Sequence, residues 1–294
     1  MTILDGKIAA QFVKNNLKEE VLQLKKAGNR SPHLAAILIG NNGASETYVA
    51  SKVKNCQEVG FESSLIRFDD TIDEVTLLQT IQQLNNNNSV DGILVQLPLP
   101  KHISETKVIE TIAPQKDVDG FHPINVGKLV QGLPTYIAAT PYGIMLLLEH
   151  YKIETKGKHA VVIGRSNIVG RPMSILLSSN QTRGNCTVTL CNSYTPNLKE
   201  ICLQADIIVA AVGKPNYITA DMVKENAVAI DVGITRVADA TAKNGYRIKG
   251  DVAFEAVAPK TSAITPVPGG VGLMTIAGLL KNTLQAYIQN NQLI

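Results

Sequence analysis

The chain has 294 residues, of which 45% are hydrophobic and 18% are charged, and its formal net charge is only +3. This length favours two domains over one, and the hydrophobic content excludes a disordered chain. The lysines and arginines are scattered and no apolar run reaches the length of a membrane helix, so we expect neither nucleic-acid binding nor a membrane span.

The amino terminus reads MTILDGKIAAQF, which carries Asp5 and lacks the cationic and apolar regions of a signal peptide. The cysteines follow no zinc-binding spacing, and we expect no metal site. We interpret them as buried free thiols: Cys56, Cys186, Cys191 and Cys202. These features predict a soluble, globular protein of the cytoplasm.

In chain order, apolar runs alternate with segments of helical period, which is typical of α/β units built on parallel sheets. The first series predicts strands over 33–39, 65–68 and 92–97, with helices over 45–59 and 73–84. The second predicts strands over 160–164, 187–191, 207–212 and 228–232, with helices over 168–178 and 198–204. The stretch 114–141 between the two series is longer than an ordinary connection in a compact domain, and such long loops usually have a function. A final amphipathic helix from Leu273 is expected to return to the first domain.

The sequence GRSNIVGRP, from Gly164 to Pro172, follows an apolar run and precedes a segment compatible with a helix. A glycine turn in this context can bind phosphate, because free N–H groups at a helix start attract anionic oxygens. The spacing between Gly164 and Gly170 departs from the usual G-x-G-x-x-G. A tight turn that only packs the helix is therefore the alternative.

The end of the next strand indicates the preferred nucleotide. Units that bind NAD usually carry an acid there, which binds the ribose 2′-hydroxyl. This chain has Asn192 and Ser193 instead, and Arg165 in the preceding turn would attract a 2′-phosphate. NADP is therefore favoured over NAD. For each residue alone, a solvated charge at Arg165 and a turn at Ser193 are the alternatives.

Tyr48 and Lys52 lie four residues apart in a predicted helix, and therefore on one face of it. Packing with a snorkelling amine is the plain interpretation of such a pair. Two further motifs favour a catalytic one. VQLPLP places Gln96 at the carboxyl end of a parallel strand, where ligands bind in open α/β sheets. KDVDGF supplies Asp119, a carboxylate suited to the adjacent N–H donors of a heterocycle.

The motifs follow one another along nearly the whole chain: Tyr-x-x-x-Lys-x-Lys, VQLPLP, KDVDGF, a TP-x-G turn, GRS-x-x-VG-x-P, IDVGI, GDV and ITPVPGGVG-x-MT. In this order they resemble the bifunctional methylenetetrahydrofolate dehydrogenase and methenyltetrahydrofolate cyclohydrolase family. Two departures are visible. Ala138 and Ala139 stand where the family often has Pro-Cys, and Leu273 replaces a common proline.

The resemblance implies an α/β fold with two domains flanking a cleft, the second a Rossmann-like NADP-binding domain with a parallel sheet, and usually a homodimer. It assigns residues 1–141 and 274–294 to a folate-binding catalytic domain and residues 142–273 to the NADP-binding domain.

The same resemblance implies roles for individual residues. Lys52 would be the central catalytic residue, with Gln96 as its partner. Tyr48 would face the aminobenzoyl group of the folate, and Asp119 would anchor the pterin. Residues expected to contact NADP are Gly164, Arg165, Ser166, Val169 and Ser193, and those expected on its nicotinamide side are Val232, Ile234, Gly272 and Thr275.

The implied reaction is the NADP-dependent oxidation of 5,10-methylenetetrahydrofolate to the 5,10-methenyl cation and hydrolysis of that cation to 10-formyltetrahydrofolate, within one-carbon metabolism and purine biosynthesis. The alternatives are a dehydrogenase with one activity, an NAD user, and a non-catalytic dinucleotide sensor. His102 and His122 lack metal-ligand spacing, and Asp231 and Asp251 are expected to brace turns.

Overall fold

The computed structural model describes residues 1–242 and 245–293, which form two compact units. One unit comprises Met1–Ala10 and Thr140–Thr275, and the other comprises Gln11–Ala139 and the carboxyl-terminal segment from Ile276. We refer to them by their main sheets as the six-stranded unit and the three-stranded unit.

The helices and strands alternate along most of the chain. In chain order they are β1 (Thr2–Ile3), α1 (Gly6–Lys26), β2 (His33–Ile39), α2 (Gly43–Glu58), β3 (Glu62–Phe68), α3 (Glu74–Asn86), β4 (Gly92–Val95), α4 (Glu105–Thr111), α5 (Pro123–Val130), α6 (Ala139–His150), β5 (His159–Ile163), α7 (Gly170–Ser178), β6 (Thr187–Cys191), α8 (Leu198–Cys202), β7 (Ile207–Ala210), β8 (Ala227–Asp231), β9 (Thr235–Ala238), β10 (Tyr246–Lys249), α9 (Phe254–Val257), β11 (Thr261–Ile264) and α10 (Val271–Asn290).

The three-stranded unit has a parallel sheet in the order β3-β2-β4. The central strand β2 is an unbroken apolar run whose residues from Leu34 onward are buried, as expected for a parallel strand covered on both faces. Leu77 and Ile81 of α3 pack into the core against β2 and β4. The carboxyl ends of β2 and β4 therefore lie at one edge of this sheet, and the chain leaves β4 there at Gln96.

The six-stranded unit has a parallel sheet in the order β1-β11-β8-β7-β5-β6, with β9 and β10 as a separate antiparallel hairpin. The amino terminus was expected in the first domain. In the structure Thr2 pairs with Ala263 and Ile3 with Ile264, so the first ten residues group with the six-stranded unit. A two-residue strand has no periodicity of its own, and its partner is fixed only by the fold.

Strands β2 and β5 begin in the same way, with a histidine whose backbone N–H is bound by an aspartate. The N–H of His33 donates to the carboxylate of Asp91, and the N–H of His159 donates to that of Asp206. In each ring, Nδ1 lies near a carbonyl two residues before the aspartate, and Nε2 lies near a hydroxyl of the neighbouring strand. One set of bonds fixes the chain at the start of β4, which is followed by Gln96. The other fixes the start of β5, which is followed by the glycine turn at Gly164.

The predicted alternation of strands and helices is confirmed, with boundaries that shift by a few residues. The final helix is also confirmed, and from Ile276 it groups with the three-stranded unit. The connection 114–141 contains helix α5, which was not predicted. Helix α1 was also missed, and Asp5 caps it by accepting the N–H groups of Lys7 and Ile8. Among the described residues, no helix combines the length and the apolar character that crossing a membrane requires.

Candidate active site

Lys52 is a buried amine on α2, with only 5% of its surface exposed. Its Nζ donates a hydrogen bond of 3.0 Å to Oε1 of Gln96. The Gln96 N–H donates to the carbonyl of Ile37 on β2, and its Nε2 donates to the carbonyl of Leu97. The first bond fixes the backbone of Gln96 and the second fixes its side-chain nitrogen, so the side-chain oxygen is held toward the lysine.

The ring of Tyr48 covers the same amine. The Nζ of Lys52 lies 4.8 Å from the centroid of that ring, within the range of a cation–π contact. The prediction that Tyr48 and Lys52 share one face of a helix is therefore confirmed. Since Gln96 also contacts the amine, three of the predicted catalytic residues come together in the three-stranded unit.

Burial shapes the protonation of this cluster. It lowers the pKa of Lys52, although the charge of Asp119 opposes the shift. Burial likewise raises the pKa of Asp119 to about 6, with the charge of Lys52 opposing this and that of Asp117 adding to it. The thiol of Cys56 has its pKa raised to about 12 by burial and stays protonated. Burial thus makes the amine easier to deprotonate and the carboxyl group easier to protonate, as is common in functional sites.

Asp119 lies in a turn that Asp117 holds together from inside. The buried carboxylate of Asp117 accepts hydrogen bonds from the N–H groups of Phe121 and His122 and from Nδ2 of Asn125. An isolated parallel bridge joins Asp117 to Ile93 of β4. The turn is thereby attached to the strand that ends at Gln96, which places Asp119 in the electrostatic field of Lys52.

Gly120 allows the turn to approach a second segment closely. Its φ is +73°, and a Cβ at this position would overlap the backbone of Ile137 and Ala138. The side chains of Ala138 and Ala139, which depart from the family pattern, are buried here. Glycine is therefore required by both conformation and space.

Lys116 is a structural residue that the sequence analysis did not single out. Its buried Nζ donates to the carbonyl oxygens of Leu84 and Asn87, at the carboxyl end of α3. This anchors the chain just before the Asp119 turn. A lysine beside two alternating aspartates in KDVDGF was the available signal, but the partners of its amine depend on the fold.

The glycine turn after β5 brings three backbone segments close together. Gly164 has φ of +115°, and a Cβ there would overlap the carbonyl oxygen of Ala211. A Cβ on Gly170, at the start of α7, would overlap the carbonyl oxygen of Gly164. Ser166 closes the turn, since its Oγ accepts the N–H groups of Val169 and Gly170. The two glycines are therefore required for the close packing of this turn, as the alternative interpretation expected, and Ser166 occupies the N–H groups of Val169 and Gly170 in this structure.

Arg165 and Ser193 follow the neighbouring strands β5 and β6, and both are exposed. The guanidinium carbon of Arg165 lies 5.8 Å from the ring centroid of Tyr194, which is 83% exposed. Within residues 1–242 and 245–293, Arg165 forms no ion pair. A cation without a carboxylate partner is compatible with a 2′-phosphate. The sequence analysis did not single out Tyr194.

The four residues predicted on the nicotinamide side form two local pairs in the six-stranded unit. Val232 follows β8, and Ile234, which is 64% exposed, precedes β9. Gly272 and Thr275 lie in the first turns of α10. Thr275 Oγ1 is 3.0 Å from Thr140 Oγ1. In the described part of the chain, no hydrogen bond joins one pair to the other.

Asp231 and Asp251 brace turns, as predicted. The Asp231 carboxylate accepts the N–H groups of Gly233, Asp251 and Val252, and burial raises its pKa to about 6. Asp251 in turn accepts the N–H groups of Val212, Gly213 and Lys214. These bonds tie together the loops that follow β7, β8 and β10, and they occupy both carboxylates with backbone N–H groups.

One unit has a parallel six-stranded sheet with a glycine turn after β5, and the other α/β unit holds a buried amine. These features are typical of a class of two-unit α/β enzymes with a Rossmann-like nucleotide-binding unit. Residues 138–291 match the family model for the tetrahydrofolate dehydrogenase/cyclohydrolase NAD(P)-binding domain, and residues 4–119 match that for the catalytic domain. The chain belongs to the tetrahydrofolate dehydrogenase/cyclohydrolase family.

Individual relatives agree over the full length. The chain is 59% identical to the bifunctional protein FolD of Cytophaga hutchinsonii over 97% of this chain and 99% of that protein. It superimposes on the bifunctional enzyme of Campylobacter jejuni with a TM-score of 0.92 and 47% identity, covering both chains completely. The Trypanosoma brucei enzyme, solved with NADP cofactor and inhibitor, gives a TM-score of 0.93 at 35% identity over 99% of each chain. The predicted family, fold class, enzymatic function and nicotinamide cofactor are confirmed.

Proposed function

We propose that this chain oxidises 5,10-methylenetetrahydrofolate with NADP and hydrolyses the 5,10-methenyl cation to 10-formyltetrahydrofolate, both with the cluster around Lys52. The observation that carries this proposal is the buried Lys52 amine, bonded to Gln96 and covered by Tyr48. Burial lowers the pKa of this amine, which is the property that a proton-transfer group needs at neutral pH.

In the oxidation, the chain binds and orients the folate. Asp119 accepts the N–H donors of the pterin as a carboxylate, and the ring of Tyr48 faces the aminobenzoyl group. NADP, when bound, takes up the hydride that the methylene bridge loses. Alignment of reacting carbons at roughly 3–3.5 Å supplies much of the rate enhancement in such transfers. Positioning by Tyr48 and Asp119 is therefore their contribution to catalysis.

In the hydrolysis, Lys52 moves a proton. Water attacks the methenyl carbon and gives up one proton to the neutral amine, which returns it to N5 as the bond between that carbon and N5 breaks. The remaining hydroxyl proton leaves to solvent as the formyl carbonyl forms, so that the positive charge of the methenyl cation departs as one released proton. Gln96 holds the amine in place through its Oε1. The same lysine thus acts first as base and then as acid, which requires a pKa near the working pH.

For the cofactor, we propose that Arg165 and Ser193 bind the 2′-phosphate. Gly164, Ser166 and Val169 would surround the diphosphate at the start of α7. The residues proposed for the nicotinamide side are Val232, Ile234, Gly272 and Thr275. Two observations support this assignment: Gly164 and Gly170 have no Cβ at the turn, and the guanidinium of Arg165 is exposed.

The remaining proposals extend the family resemblance. Residues 1–141 and 274–294 would form the folate-binding catalytic domain, apart from the first ten residues, which group with the six-stranded unit, and residues 142–273 would form the NADP-binding domain. We propose a homodimer that acts in the cytoplasm and provides one-carbon units for purine biosynthesis. Analytical ultracentrifugation of the purified chain tests the dimer, since a single species with the mass of one chain would exclude it.

Spectroscopy of both steps tests the activity. The purified chain receives methylenetetrahydrofolate with NADP or with NAD, and the absorbance of reduced nicotinamide and of the methenyl cation is followed. We expect NADP reduction together with decay of added methenyl cation. Reduction of NADP without decay of the methenyl cation would indicate a dehydrogenase with one activity. A preference for NAD would refute the 2′-phosphate assignment. If neither absorbance changes, the chain is a non-catalytic sensor.

A further inference from the structure

Asn282 of α10 ties together the two segments that meet at the Asp119 turn. It is fully buried, and its Nδ2 donates to the carbonyl oxygens of Val118 at 2.8 Å and Ile137 at 2.7 Å. Val118 immediately precedes Asp119. Ile137 belongs to the backbone that Gly120 approaches. A single amide on the last helix therefore holds both sides of the turn.

The donors of this amide fix its orientation. Its Oδ1 has no hydrogen-bond partner in the described part of the chain. The opposite orientation would aim that oxygen at the two carbonyl oxygens of Val118 and Ile137, which is repulsive. Both N–H groups are used, and buried carbonyls that lose their donors are strongly disfavoured. The contact is therefore specific for a side chain with two N–H donors.

Other contacts fix the same turn but leave the Asp119 carboxylate free of local bonds. The N–H of Ala139 donates to the carbonyl of Asp119, and the side chain of Val118 fills the space where Gly92 of β4 lacks a Cβ. Within the described residues, the carboxylate oxygens of Asp119 accept no hydrogen bond; Lys52 and Asp117 are the charged groups that act on it. The backbone is held while the carboxylate stays available to a ligand.

We propose that Asn282 is a positioning residue for the folate site, which sets the place of the Asp119 carboxylate by clamping the backbone on both sides of its turn. The proposal rests on the proposed role of Asp119 as pterin anchor. Asn282 does not touch the folate. Its effect is transmitted through the carbonyl of Val118, one residue before the anchor.

A double-mutant cycle with Asn282→Leu and Asp119→Asn tests this coupling. Asn282→Leu keeps a side chain of similar size without donors, and Asn282→Ser retains one donor in case the leucine variant does not fold. The matched control is Asn290→Leu, because Asn290 of the same helix also donates to a backbone carbonyl, that of Gln115, at the exposed surface. The readouts are KM and kcat for folate in both steps, the Kd for 2′,5′-ADP and the melting temperature.

We expect Asn282→Leu to raise the folate KM about 10- to 100-fold, the range that a displacement of about 1 Å in a site can produce. The Kd for 2′,5′-ADP should stay unchanged, Asn282→Ser should give an intermediate KM, and Asn290→Leu should behave as wild type. In the Asp119→Asn background, Asn282→Leu should add little, because the carboxylate that it positions is already gone.

Two results would overturn the proposal in distinguishable ways. If Asp119→Asn leaves the folate KM unchanged, the anchor role fails and the proposal fails with it. If Asp119→Asn is impaired but the folded Asn282 variants keep a wild-type KM, or lose the same factor with and without the Asp119 carboxylate, Asn282 only stabilises the fold.

Discussion

The Nζ of Lys52 and Oε1 of Gln96 are 3.0 Å apart, although the two residues are separated by 44 positions in the sequence and lie on different elements. The amine comes from the middle of a helix, and the amide comes from the point where a parallel strand ends. Their contact joins a helix face to the carboxyl end of a strand, the edge at which open α/β sheets bind ligands.

Removal of the Lys52 amine should abolish the hydrolysis. We expect Lys52→Met to lower cyclohydrolase turnover by about 10²- to 10⁴-fold, the usual contribution of a proton-transfer group. Decay of the methenyl absorbance measures this. Lys54→Met is the control, since Lys54 is exposed on the same helix and should be dispensable. Full turnover by the Lys52→Met variant would show that another group moves the proton.

The pH profile should report Asp119. Its pKa is raised to about 6, so the carboxylate is ionised above that pH and protonated below it. Because only the ionised form accepts both N–H donors of the pterin, kcat/KM for methylenetetrahydrofolate should fall as the pH drops through about 6. Asp119→Asn should lose this acidic limb, and Asp69→Asn, at an exposed position of the same unit, should keep it. An unchanged limb in Asp119→Asn would assign it to another group.

Arg165 should discriminate between the two nicotinamide cofactors. A hydrogen bond to a charged group contributes about 1.5–3 kcal/mol, so Arg165→Ala should weaken 2′,5′-ADP binding about 10- to 100-fold and leave 5′-AMP nearly unaffected. Calorimetry measures both affinities. Arg247→Ala serves as control, because Arg247 is an exposed arginine of β10 that pairs with Asp239, away from the glycine turn in the sequence. Equal losses for both nucleotides would contradict a contact with the 2′-phosphate.

A methyl group in the glycine turn should disrupt the turn and the nucleotide affinity together. In Gly170→Ala the new Cβ overlaps the carbonyl of Gly164, and relief of such overlap typically costs about 1–3 kcal/mol of unfolding free energy. Gly127→Ala is the matched control in α5, since a Cβ there meets nothing within 4 Å. Urea unfolding and 2′,5′-ADP binding test this, and wild-type values for Gly170→Ala would show that the turn adapts.

Asp231 should matter for stability and not for chemistry. Its carboxylate accepts three backbone N–H groups, whereas the amide of Asp231→Asn would turn a donor toward one of them. We expect a loss of about 1–3 kcal/mol in unfolding free energy. Asp221→Asn, which breaks an exposed pair with Lys199, should cost less than about 1 kcal/mol. Stability equal to wild type would mean that the network tolerates an amide.

The sequence predicted the features of this molecule that depend on local spacing. The Tyr48 and Lys52 register follows from helix geometry, and the position of Gln96 follows from an apolar strand that ends before it. Asp117 and Asn282 could not be predicted in the same way, because their partners are backbone groups that only the fold brings near. The pairing of Thr2 with Ala263 was hidden for the same reason.

The pairing of Thr2 with Ala263 and the bond from Asn282 to Val118, 164 residues apart, have a consequence for biosynthesis. Each unit includes segments from distant parts of the chain, and each includes residues of α10. The ribosome must therefore release the chain as far as α10 before either unit acquires all of these stabilising contacts. A prematurely terminated product that lacks α10 would retain Lys52 and Gln96 but not the clamp on the Asp119 turn.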